Sequence, residues 1–182
     1  MTEARPEEPD VRLDDDGDVT VIEVKGLLSQ FGDRVIHEDL DLVVEKGEVL
    51  GVVGGSGTGK TVLLNTIVGL KDPEGGTVKL FGVDRAEMNR DEKAEIEQRT
   101  GLLFQQGALF SSLTVLENVA SPLVEHTDLS REVIRDLAEM KIAMVGLGPE
   151  SHHLKPAELS GGMKKRAGLA RALALDPELL FL

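Results

Sequence analysis

Hydrophobic and polar positions change rhythm several times along this chain, and each rhythm predicts an element. The valines and isoleucines from Val19 to Val24 predict a first strand. Leu40-Asp-Leu-Val-Val44 alternates and predicts a second, closed by a turn at Glu45-Lys-Gly47. Val49-Leu-Gly-Val-Val53 is apolar without a break and predicts a buried strand, whereas in Lys60–Val68 apolar residues recur at helical spacing. Lys71-Asp-Pro-Glu-Gly-Gly76 is a turn cluster before a short strand at Thr77–Phe81. Asn89–Thr100 is charged and predicts a solvated helix, and Gly101–Gln105 is strand-like again. Val133, Leu137, Met140 and Met144 fall four, three and four residues apart, which predicts a helix packed through that stripe. After a loop through His152-His153-Leu-Lys-Pro156, Ser160 opens a last helix, and Glu178–Leu182 begins a buried strand. The order is β-rich first, then strand–loop–helix, then a helical insert, then a return to the sheet.

Between the apolar run and its helix lies Gly54-Gly55-Ser56-Gly57-Thr58-Gly59-Lys60-Thr61, the pattern G-x-x-x-x-G-K-[ST] of a phosphate-binding loop. Four glycines let backbone N–H groups close around phosphates, and the helix that follows points its positive dipole end at them. Lys60 is the candidate ligand of the β- and γ-phosphates, and the Thr61 hydroxyl the candidate ligand of Mg²⁺. A glycine-rich turn capping a helix would account for the glycines but not for Lys-Thr at that offset. The motif points to a nucleoside triphosphate.

Composition narrows the class. A length of 182 residues suffices for one domain with a sizeable core. The formal charge of −13 argues against a general nucleic-acid binder, which needs clustered Lys and Arg. Residues 1–18 hold eight acidic and two basic side chains and two prolines, and read as an acidic, disordered leader rather than a secretory signal. Zero cysteines exclude disulfides and thiolate metal sites. The apolar runs are too short to span a bilayer.

A second motif adds to the first. Leu159-Ser-Gly-Gly-Met163, followed by Lys164-Lys-Arg-Ala-Gly-Leu-Ala-Arg-Ala-Leu173, closely resembles the signature of ATP-binding cassette (ABC) ATPases. By itself Ser-Gly-Gly before a helix is a capping arrangement; about a hundred residues after a phosphate loop it carries more. The resemblance covers nearly everything from about residue 20 onward. It implies an α/β P-loop NTPase of the ABC ATPase fold, with an N-terminal β-rich subdomain, a RecA-like core sheet and a helical subdomain over about 107–165, all within a domain at 19–182. It implies ATP and Mg²⁺ as cofactors, with Gly54–Val62 around the phosphates and Thr61 and Gln105 on the metal. Lys60 and Gln105 would serve the chemistry, Gln105 at the place of the Q-loop. Phe31, before Gly32, matches the aromatic that stacks on adenine, although a core phenylalanine would fit the same position. Val62 stands where many relatives have a second hydroxyl, which leaves only its backbone N–H for the α-phosphate. Ser160, Gly161 and Gly162 would bind the γ-phosphate held by the opposite subunit of a head-to-tail homodimer.

Gly107-Ala-Leu-Phe-Ser-Ser-Leu-Thr-Val-Leu-Glu-Asn-Val-Ala-Ser-Pro-Leu123 resembles the segment that grips a transmembrane permease. Its Gly-Ala-Leu-Phe and Asn-Val-Ala-Ser-Pro-Leu strings, with Met163 where glutamine is usual, look most like the Mla/Mkl branch. That branch implies phospholipid-type transport, an MCE-type lipid-binding partner, and a peripheral location on the cytoplasmic face of the inner membrane. The family continues past the point matching Leu182 with a Walker B aspartate, a catalytic glutamate, a D-loop and a switch histidine, so the expectation is an incomplete domain with no hydrolysis above background of its own. None of His37, His126, His152 or His153 sits in the context of that histidine. Two other readings stay open: a non-transport ABC ATPase, and a nucleotide-binding subunit without hydrolysis.

Overall fold

Two long strands form the first half of the molecule. β1 (Thr20–Phe31) and β2 (Arg34–Glu45) are an antiparallel hairpin joined at Gly32-Asp33, with Phe31 opposite Arg34. Both run well beyond the expected segments, because β1 continues through bulges around Gly26, which takes a φ of 57°. β3 (Gly75–Leu80) pairs with the other edge of β1, and β4 (Val83–Asp84) closes a four-stranded sheet in the order β2-β1-β3-β4. The computed structural model describes residues 19–104 and 107–182; the proposed leader, residues 1–18, lies outside the described residues. Val21, Ile22, Val24, Leu27, Val78 and Leu80 supply the buried face of the sheet.

α1 (Lys60–Val68) has the bounds its periodicity predicts, set by left-handed glycines at both ends, Gly59 and Gly69. It buries Leu63, Thr66 and Ile67, and Arg85 ties it down by donating to the Thr66 carbonyl. The expected buried strand at Val49–Val53 is not one. It pairs with no strand among the described residues, and Val49 and Val53 are 98% and 91% exposed. An unbroken apolar run reports that a segment suits burial in a parallel sheet, not that a ladder partner stands beside it. The four strands of this half leave it none.

The chain divides into two compact units, residues 1–93 and 94–182, with α2 (Arg90–Arg99) carrying the division. In the second unit β5 (Thr100–Leu102) and β6 (Leu179–Phe181) are parallel, Thr100 opposite Leu179 and Leu102 opposite Phe181. Between them run α3 (Val115–His126), α4 (Arg131–Met144) and α5 (Gly161–Ala172). Thr114 and Glu117 cap α3 reciprocally, and Ser130 caps α4. Val115, Val119, Ala138, Ile142, Leu147, Leu159, Ala167 and Ala170 make the helical core.

α4 forms where expected but packs through another face. It buries Ile134, Ala138, Lys141 and Ile142; of the expected stripe Leu137 packs against the core, while Val133, Met140 and Met144 are 42%, 47% and 64% exposed. Lys141 explains the difference. It is buried because its ammonium pairs with Asp176, so a charged residue sits in the middle of the packed face and hides it from an apolar count.

Candidate functional site

The phosphate loop spans Gly54–Gly59 and runs directly into α1. Gly57 and Gly59 take φ values of 80° and 95°, which L side chains rarely adopt. Gly59 is also crowded: a Cβ there would stand 2.6 Å from Ile36 Cγ2 and 2.7 Å from His37 Nε2. His37 is itself pinned, its Nδ1 2.6 Å from the fully buried Ser29 hydroxyl. Burial holds its imidazole below the usual histidine pKa. The first turn of a helix has N–H groups with no intrahelical partner, and Gly59 has no side chain to cap them.

Lys60 folds back over the loop, its ammonium donating to Gly54 O at 2.7 Å and Gly55 O at 2.6 Å. Thr58 braces the same turn by donating to Gly55 O at 2.9 Å. The Thr61 hydroxyl has no partner among the described residues. Helix N-terminal N–H donors, one exposed cation and a hydroxyl without a partner among the described residues make the donor set a polyphosphate with a hard divalent cation requires. A cavity of about 290 Å³ joins this loop to the tip of the first hairpin, where Phe31, Arg34 and Ile36 face Gly57–Val62. Phe31 is thus an exposed ring beside the loop and not a core phenylalanine.

The second unit carries the other motif. Gln105 lies outside the described residues. The segment after it is docked on α5: a Cβ on Gly107 would stand 2.8 Å from Lys164 O, and one on Gly168 would stand 2.9 Å from Gly107 Cα. Arg171 donates to Ala108 O at 2.8 Å and lies 5.4 Å from the Phe110 ring centre. Asn118, fully buried, accepts from Phe110 N at 2.7 Å and donates to Phe110 O, Leu113 O and Thr114 O. At the start of α5 the Ser160 hydroxyl caps Met163 N at 3.3 Å. Gly161 and Gly162 are exposed, and a Cβ on either would meet nothing. Packing among the described residues therefore does not require glycine at those two positions.

Residues 37–182 match the model of the family described as ABC transporter. The chain belongs to that family. Its similarity to solved ABC cassettes extends to the backbone: the dimeric structure of the ATP-binding cassette MJ0796 in a post-hydrolysis state with ADP and Pi superposes with a TM-score of 0.80 at 31% identity, over 87% of this chain and 72% of that one. Among curated proteins, the probable ribonucleotide transport ATP-binding protein mkl of Mycobacterium tuberculosis is 48% identical over 159 residues, 87% of this chain and 44% of that protein. The intermembrane phospholipid transport system ATP-binding protein MlaF of Haemophilus influenzae is 47% identical over 160 residues, 88% of this chain and 60% of that protein. The chain spans about half the length of the curated relatives it matches.

Three residues, two in the cavity of the first unit and one in the second unit, escaped sequence reasoning. Arg34 and Ile36 reach the cavity because β2 starts opposite Phe31, a register that no local pattern reveals. Asn118 was quoted as part of a string, yet it organises the whole turn Phe110–Thr114. The hydrophobic run around it gave the usable signal, an asparagine at a position the helical period makes internal.

Proposed function

We propose that this chain is the nucleotide-binding subunit of an ABC transporter that couples ATP hydrolysis to movement of phospholipid through a membrane permease. The observation that carries the reading is the phosphate loop, where the α1 N–H groups without a side-chain cap, Lys60 and a Thr61 hydroxyl with no partner among the described residues share one cavity with Phe31. Backbone N–H groups of Gly54–Val62 hold the phosphates, and Lys60 exchanges its two carbonyl partners for the β- and γ-phosphates. Thr61 and Gln105 take Mg²⁺, and Phe31 stacks on adenine. Bound Mg-ATP supplies the cleavable phosphoanhydride. Ser160, Gly161 and Gly162 meet the nucleotide of a second cassette, and the exposed, unpacked glycines favour such close approach.

The names of the two relatives give different cargoes, ribonucleotide and phospholipid. We take phospholipid, with an MCE-type lipid-binding protein as a further partner, because the Gly107–Leu123 strings carry that resemblance. No helix among the described residues is long and apolar enough to cross a membrane. In the proposed assembly the permease holds the chain at the cytoplasmic face. The test is affinity purification from membranes in mild detergent, followed by reconstitution. A co-purifying permease and Mg-ATP-dependent phospholipid transfer are the expected results. Isolation with ribosomes or DNA and no membrane protein would overturn the transport reading.

A further inference from the structure

The Phe31 ring at the edge of the cavity already has a cation against it. Lys71 places its ammonium 5.3 Å from the centre of the ring, inside the range of a cation–π contact. That ammonium is fixed: its three donors meet three acceptors, Glu74 Oε1 at 2.8 Å, Glu74 Oε2 at 3.0 Å and Asp72 O at 3.0 Å. Glu74 is anchored to the strand that carries the ring. Its carboxylate accepts from Gln30 N at 2.9 Å, and its own N–H donates to Leu28 O at 2.9 Å. The turn Lys71–Glu74 is thus stitched to β1 at Leu28 and Gln30, the residues just before Phe31 and more than forty positions earlier. The ring itself is 58% exposed.

We infer that Lys71, locked by Glu74, is a positioning residue for adenine recognition: it backs the Phe31 ring and presents the opposite face to the base. The inference rests on the stacking role proposed above for Phe31. An aromatic at a hairpin tip loses rotamer freedom on binding a base, and a cation held against one face removes that cost beforehand. It also confines the base to the face beside Gly57–Val62. Lys71 does not line the cavity, so its effect should vanish with a ligand that has no base.

The experiment compares affinities of the full chain for Mg-ATP and for Mg-tripolyphosphate by calorimetry. Lys71→Met, which keeps the stem and removes the charge, is expected to weaken ATP about two- to fivefold and leave tripolyphosphate unchanged. Lys71→Arg, which restores a cation over the ring, is expected to recover ATP affinity. Phe31→Ala is expected to lose at least as much for ATP and nothing for tripolyphosphate. Should Phe31→Ala leave the ratio of the two affinities unaltered, the stacking reading itself falls. Should Phe31→Ala change that ratio while Lys71→Met does not, stacking stands and the role of Lys71 is wrong. Equal loss of both ligands in Lys71→Met would reduce the clamp to a structural support of the loop and overturn the inference as well.

Discussion

Lys60 is bonded to the carbonyls of Gly54 and Gly55, so it supports the loop itself. Lys60→Ala should leave stability almost unchanged, because those bonds are solvent-exposed, yet remove charge-assisted bonds worth about 1.5–3 kcal/mol each. An ATP affinity at least roughly tenfold lower by calorimetry is the expected outcome, and an unchanged affinity would sink the phosphate-loop assignment. Two neighbouring glycines make a finer comparison. Gly57 and Gly59 both have positive φ, but a Cβ at Gly57 meets open space, whereas one at Gly59 strikes Ile36 and His37. Gly57→Ala should therefore cost the backbone strain alone, roughly 1–3 kcal/mol. Gly59→Ala should add overpacking of similar size. Urea denaturation of the two variants checks the order, and equal midpoints would contradict it.

At the scale of elements, the buried Asn118 holds the turn Phe110–Thr114 against α3, accepting from Phe110 N and sharing its two N–H donors among three carbonyls, and α5 holds the preceding residues through Gly168 and Arg171. Asn118→Ala leaves several of those groups unpaired, and about 2–4 kcal/mol of stability should go with them. Thermal unfolding measures it. The capping box of α3 adds a pH dependence. Bonds from Thr114 hold the Glu117 carboxyl below its ordinary 4.5, so its contribution is complete above that value and disappears as acid protonates the folded form. Glu117→Gln should flatten that part of the acid limb of an unfolding profile. These elements also show where sequence is readable. α1 and α5 were legible because their start signals, Gly59 and Ser160, are local. The packed face of α4 was not, because Lys141 owes its burial to Asp176, thirty-five residues away. The strand at Val49–Val53 failed for the same reason, since a ladder is a relation between segments. Within the site, the phosphate loop is a contiguous string, while the Phe31 cavity and the Lys71–Glu74 clamp depend on the hairpin register and on a contact across forty residues.

For the whole molecule, the motif at the start of α5 has more surface than the chain itself uses. Ser160 caps the helix, a local duty, but neither Gly161 nor Gly162 is required by any neighbour, and both remain exposed beside uncapped N–H groups. A helix start kept this bare suits an anion brought from outside the chain. In the proposed assembly that anion is the γ-phosphate on a second cassette, consistent with the dimeric state of the solved cassette it resembles. Ser160→Arg separates the two motifs. Arginine removes the cap, at a cost of about 1 kcal/mol, and places a bulky cation across the approach. Binding of ATP by the single chain should persist, because Lys60 and the Gly54–Val62 donors are untouched. Dimerisation on adding ATP, followed by sedimentation velocity in the transporter subunit, should be lost. Ser160→Ala, which removes the cap without the obstruction, should lower stability by a similar amount and still dimerise. If Ser160→Arg associates on ATP as readily as its parent, Leu159–Met163 does not face a second nucleotide and the sandwich is wrong.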